Sequence, residues 1–129
     1  MFNIFKKYFA RQRPEFNALK ESVIKDKYFF RVATWTWHNK NEITVIDPHS
    51  PRVITMDAWP QIIFLDALGQ LTVSQYIDLL STKYFGKIPD DLDKTVILFL
   101  DDLVDLKIIE YSDSPTTLDA KVVNPINIK

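Results

Sequence analysis

From Ile54 to Ile109 apolar residues recur at helical spacing, and the polar positions that interrupt them suit helix ends. Asp57 opens the first run, because its carboxylate can accept the free N–H groups of a first turn. Ile62, Ile63, Leu65 and Leu68 follow as its buried side, and Gly69 closes it by taking the left-handed turn that ends many helices. Thr72 or Ser74 caps a second run, with Val73, Tyr76, Ile77, Leu80 and Tyr84 on one face. Asp90 and Asp91 open a third, where negative charge suits the positive end of the helix dipole. Its stripe is Leu92, Val96, Phe99, Leu100, Leu103 and Leu106. The pattern predicts helices over 57–68, 73–85 and 90–106, and the only two glycines of the chain, Gly69 and Gly86, fall at helix ends.

Upstream the period changes from helical to alternating. Phe30, Val32, Thr34, Thr36 and His38 alternate with Phe29, Arg31, Ala33, Trp35 and Trp37, which predicts a strand over 28–41. Turns at 38–41 and at Asp47-Pro48-His49-Ser50-Pro51 separate it from strands over 42–47 and 52–56. Ile43 and Val45 share one side of the middle strand. Short turns make these three an antiparallel meander. The fold class is therefore α+β, a three-stranded antiparallel sheet followed by three helices. Before it, residues 1–27 form a basic amphipathic arm in which Phe2, Phe5 and Phe9 share one helix face and Lys6 and Lys7 another. After residues 28–111, Ile108 to Tyr111 leaves as an extended segment, and 112–129 is a tail that wraps the surface, gripped by Val122 and Val123.

The 129 residues, 47% hydrophobic and 13% aromatic, suffice for one core. Without cysteine there is no disulfide framework, thiolate zinc site or cysteine nucleophile. No apolar run reaches the roughly 20 residues of a membrane span, and the N-terminus lacks a secretory pattern, so a cytoplasmic protein is expected. The net charge of −1 conceals a division. Residues 1–31 carry +5 and the remainder −6. A basic arm of about ten residues without a second anchor binds lipid weakly, so membrane contact by residues 1–10 is secondary to packing on the domain.

Three features carry a resemblance. Met56-Asp57 ends a strand and caps a helix; Leu68-Gly69-Gln70-Leu71-Thr72-Val73 is a Gly step followed by Thr-Val; and Val96-Ile97-Leu98-Phe99-Leu100-Asp101-Asp102-Leu103 runs into Ile108-Ile109. Across Arg52 to Ile109 the chain resembles the PqqD-like proteins, the winged-helix-like peptide chaperones and recognition elements of ribosomally made, modified peptides. Leu68 stands where that pattern has Asp, and Lys107 where it has Gly. The resemblance implies a non-catalytic binder of a precursor's leader peptide, which it would present to a modifying enzyme such as a maturase. The peptide would join the sheet edge at Arg52, Val53, Ile54 and Thr55, a mode open to any strand with unpaired N–H and C=O groups. A helix wall would come from Thr95, Leu98, Asp101, Asp102 and Asp105. Leu98 is apolar yet off the core stripe, and packing beneath the tail is its plainer alternative. The acidic positions would steer a basic peptide, although Asp90, Asp91 and Asp93 read as a solvated face.

A second possibility is a structural or regulatory winged-helix module that assembles with another protein through its basic N-terminus. Nucleic acid is a poor partner, because the last helix sets six Asp against Lys94 and Lys107 and the second offers only Lys83. Nor does the chain read as an enzyme: it has no glycine-rich phosphate loop, and His38 and His49 lie in turns. His49 with Asp47 is the one acid–base or metal-binding pair, and a turn histidine beside a turn-forming Asp is its commoner explanation. Trp35, Trp37 and Trp59 read as core before they read as a stacking platform. No cofactor or metal is expected.

Overall fold

A computed structural model describes residues 14–126. In chain order its elements are α1 (Asn17–Glu21), β1 (Tyr28–Arg31), β2 (Trp35–Trp37), β3 (Ile43–Ile46), β4 (Val53–Thr55), α2 (Ala58–Asp66), β5 (Leu68–Thr72), α3 (Val73–Ser81), α4 (Leu92–Asp105), β6 (Ile109–Ser112) and α5 (Ala120–Val123). The fold is α+β with two antiparallel sheets, ordered β5-β1-β6 and β2-β3-β4. A single sheet ahead of three helices is thus corrected to two sheets whose strands interleave with the helices. The basic arm expected over 1–27 lies outside the described residues as far as 13; its later part includes α1, and Phe16 and Leu19 join the same buried core as the helices.

Residues 28–41 do not form one strand. Phe29, Arg31, Ala33 and Trp35 are all buried, so the inward alternation runs unbroken, but the partners change at Ala33. Val32 N–H donates to Ile108 O, whereas Thr34 O accepts from Ile46 N–H. A small buried side chain at the crossing lets the backbone pass from one sheet to the other. Alternation reports which side faces the core; it says nothing of which strand lies alongside.

The helices keep their predicted places with shorter spans. In α3, Val73, Tyr76, Ile77 and Leu80 are buried, and Thr72 and Gln75 complete a capping box. In α4, Leu92, Val96, Leu100 and Leu103 are buried. The rotation of α2 differs: Ile63, Phe64 and Ala67 are buried, while Ile62 and Leu68 are about half exposed. Ile62 to Leu65 are apolar on every side, so periodicity could not choose the inward face. Gly69 does not cap a helix. It lies inside β5 with φ +82°, where Thr116 N–H donates to its carbonyl at 2.9 Å.

Two buried charges hold distant segments together. Arg31 donates from Nε to Val122 O, from one terminal nitrogen to Leu65 O and from the other to Val123 O, at 2.7 to 2.9 Å. Its guanidinium also lies 5.5 Å from the Trp35 ring centre and 5.9 Å from that of Phe64. Desolvation lowers its pKa, and nearby Asp66 opposes that shift. Asp93, expected on the solvated face, is corrected to a core position: its Oδ2 accepts Leu19 N–H at 3.0 Å and so satisfies a free donor in the first turn of α1. Of the two valines expected to grip the tail, Val122 is buried and Val123 is 42% exposed.

Candidate functional site

The chain reaches β4 through a turn built on Asp47. Its carboxylate accepts His49 N–H at 2.8 Å and Arg52 Nε–H at 2.6 Å, and its own N–H donates to Arg52 O. The Arg52 bond first, then that from the His49 backbone, hold the Asp47 carboxyl below the ordinary carboxylate range. Asp47 and His49 are therefore joined through the histidine backbone, not the imidazole. Arg52, a candidate peptide contact, turns its guanidinium back onto Asp47.

Residues of β4 pair with β3 as Ile46 with Val53, Val45 with Ile54 and Thr44 with Thr55. Three bonds establish which groups face outward. Asp47 N–H reaches Arg52 O and Ile43 N–H reaches Gln61 Oε1, so odd positions of β3 bond towards β4; Ile46 N–H reaches Thr34 O, so even ones bond towards β2. Ile54 therefore shares its backbone bonds with Val45, and the N–H and C=O groups of Val53 and Thr55 point away from the sheet. Among the described residues none of these outward groups has a backbone partner. Val53 is 63% exposed, Thr55 is exposed, and Ile54 faces inward half-buried.

The tail closes one edge of each sheet. Ile126 N–H donates to Trp35 O at 2.7 Å on the outer side of β2, and Thr116 lies along β5 at Gly69. That leaves β4 and β6 as outer strands. Exposed Glu110 lies within β6, the kind of charge that discourages strand addition, whereas β4 itself presents uncharged β-branched side chains and Arg52 just before it is paired with Asp47.

The other candidate residues lie along α4. Leu98 is 60% exposed, so it is not buried beneath the described part of the tail. Asp101, Asp102 and Asp105 are exposed and Thr95 is half-buried. Asp101 is engaged: it accepts the Tyr111 hydroxyl at 2.9 Å, and burial followed by this carboxylate pushes the phenol pKa upward. No hydrogen bond joins the α4 group to β4. In the chain α2 follows β4 directly, and it packs on α4.

Gln61 was missed in the sequence. Its side chain takes the place of a further β4 residue, accepting Ile43 N–H at 3.0 Å and donating to Asn41 O at 2.7 Å. The only sequence signal was an amide between Trp59-Pro60 and a wholly apolar run. Trp35 is buried with Nε1–H on Val122 O, and Trp37 is about half exposed, stacked edge-on to Trp35. Among the described residues no cluster of three or more His, Asp or Glu is arranged to hold a metal, and no helix is long and apolar enough to cross a membrane.

No family model matches the chain, and no curated protein and no solved structure matches it.

Proposed function

We propose that this chain is a non-catalytic peptide-binding protein that takes an extended segment as an added strand on β4. The single observation that carries this is the outward N–H and C=O groups of Val53 and Thr55, which have no backbone partner among the described residues and lie on an exposed edge of uncharged side chains. Backbone bonding of that kind supplies affinity with little regard to sequence, which suits a protein that must hold a precursor's leader segment. The resemblance across Arg52 to Ile109 adds the context of a ribosomally made, modified peptide and an enzyme to which it is presented. A winged-helix-like arrangement is part of the same proposal. In its favour are the short β5 between α2 and α3, and β6 directly after α4, both paired with β1. Lys107 also has φ +63°, a left-handed backbone at the position where the resembled pattern has Gly.

An NMR titration of the labelled chain with leader-like peptides encoded beside its gene tests the proposal. Binding should move the resonances of Arg52 to Thr55 and of Thr95 to Asp105. Val53→Pro should abolish it without unfolding the sheet, because the lost N–H points outward. Ile54→Pro should instead unfold the sheet, since that N–H faces β3. Binding confined to residues 1–13, or unchanged affinity in folded Val53→Pro protein, would reject strand addition at β4.

A further inference from the structure

Beyond Thr55, β4 runs into a cleft of about 550 Å³ between the start of α2 and the turn that joins β2 to β3. Met56, Ala58 and Ile62 supply its apolar surface, with Ile62 about half exposed. Gln61 forms a fixed wall, both ends of its amide being engaged by Ile43 and Asn41. Glu42 and Asp57 contribute two exposed carboxylates, and among the described residues no Lys or Arg lines the cleft. Neither carboxylate has an ion pair among the described residues; Glu42 Oε1 accepts a long bond from the Asn39 side-chain amide at 3.4 Å, and Asp57 stands at the N-cap of α2 without a side-chain capping bond.

We infer that this cleft is a side-chain subsite for a Lys or Arg carried by the strand added to β4, which rests on the strand-addition function proposed above. A long basic side chain fits both parts of the surface. Its methylene stem would cover Met56, Ala58 and Ile62 while its cationic head lies by Glu42 and Asp57. An acidic side chain is disfavoured, because the partial positive charge at the α2 N-terminus, about half a unit, is outweighed by two full carboxylates. A purely apolar side chain covers the surface but leaves the carboxylates unmatched. Strand addition therefore brings non-selective backbone bonds at Val53 and Thr55, and the cleft supplies selection for a basic residue at one end of the bound segment.

Acetylated, amidated Thr-Val repeat peptides with one terminal guest residue test this in the full chain, the guest being Lys, Arg, norleucine or Glu. One series carries the guest first and another last, because antiparallel and parallel addition bring opposite ends of the peptide to the cleft. NMR follows the Val53 and Thr55 amides for the edge, and the Met56 and Ile62 methyls with the Gln61 side-chain amide for the cleft. In one series Lys and Arg should bind about threefold to fivefold more tightly than norleucine, the range for a partly exposed ion pair, with Glu weaker still. Glu42→Gln combined with Asp57→Asn should remove that preference and leave the edge shifts in place. Equal affinity for Lys and norleucine, with shifts at Val53 and Thr55, overturns the subsite alone and leaves strand addition standing. Lys-dependent shifts confined to the cleft show that it selects a basic residue but overturn strand addition, and with it the cleft as a subsite of an added strand; no shifts at all overturn both. Concentration-dependent shifts of the same groups without peptide assign the surface to a second copy of the chain, and overturn the peptide as its occupant.

Discussion

Gly69 and Thr116 meet backbone to backbone: Thr116 N–H donates to the Gly69 carbonyl at 2.9 Å, and the Thr116 carbonyl oxygen occupies the space that a Cβ on Gly69 would need. The contact fixes the course of the tail beside β5, 47 residues downstream of the glycine that bends that strand.

Gly69→Ala should therefore destabilise the fold twice over, by a left-handed backbone and by collision with main chain that cannot rotate aside. The backbone component alone is about 1–3 kcal/mol. Gly86 has a similar φ of +79°, but apart from its chain neighbours no atom of the described residues lies within 4 Å of the place a Cβ would take there, so Gly86→Ala bears only the conformational component. Urea unfolding of both variants measures the difference. Equal losses would show that Thr116 yields without cost.

Lys107 holds φ +63° between α4 and β6. Lys107→Gly should stabilise the chain by roughly 0.5–1 kcal/mol, because the left-handed backbone is freely open to glycine and strained for lysine. The side chain is exposed, so little packing is lost. A thermal or urea midpoint that falls on substitution would contradict this account.

Arg31 is the tie between β1, the end of α2 and the tail. Arg31→Lys keeps the charge but cannot reach three carbonyls with a planar fork; Val122 O keeps the Trp35 Nε1–H bond, while the part-buried Leu65 O and Val123 O lose their donors, and a loss of about 1–2 kcal/mol is expected. Hydrogen exchange should show Ile126 N–H losing protection before the amides of α4. Full protection at Ile126 in a destabilised variant would mean that the tail is held by other contacts.

Acid should loosen the approach to β4. Asp47 has its folded-state pKa lowered from the ordinary 3.8, chiefly by Arg52. Its contribution is thus present above the unfolded-state value and disappears as the pH falls through the lower folded one. An NMR titration should show the Arg52 and Val53 amides moving together with the Asp47 carboxyl below pH about 4. Asp47→Asn should abolish that shared transition, and its persistence in the variant would assign it to another carboxylate.

The sequence determined the local chemistry of this protein. The stripe from Leu92 to Leu103, a cap at Thr72 or Ser74 and the alternation that sets Phe29, Arg31, Ala33 and Trp35 on one side were all legible, because each depends on neighbours within a turn or two. The meander order was legible as well, and it leaves Val53 and Thr55 on the last strand of their sheet, although their use as a peptide edge came only from the resemblance. Tertiary structure decided which segments lie side by side. It divided residues 28–41 between two sheets at Ala33, made Gly69 part of a strand where local chemistry read a helix end, and turned Ile63 and Phe64 inward in a helix apolar on all sides. It also gave Arg31 and Asp93 their roles, because their partners, Leu65, Val122, Val123 and Leu19, are distant backbone groups. Every residue carries such groups, so no side-chain pattern marks the ones that will be used.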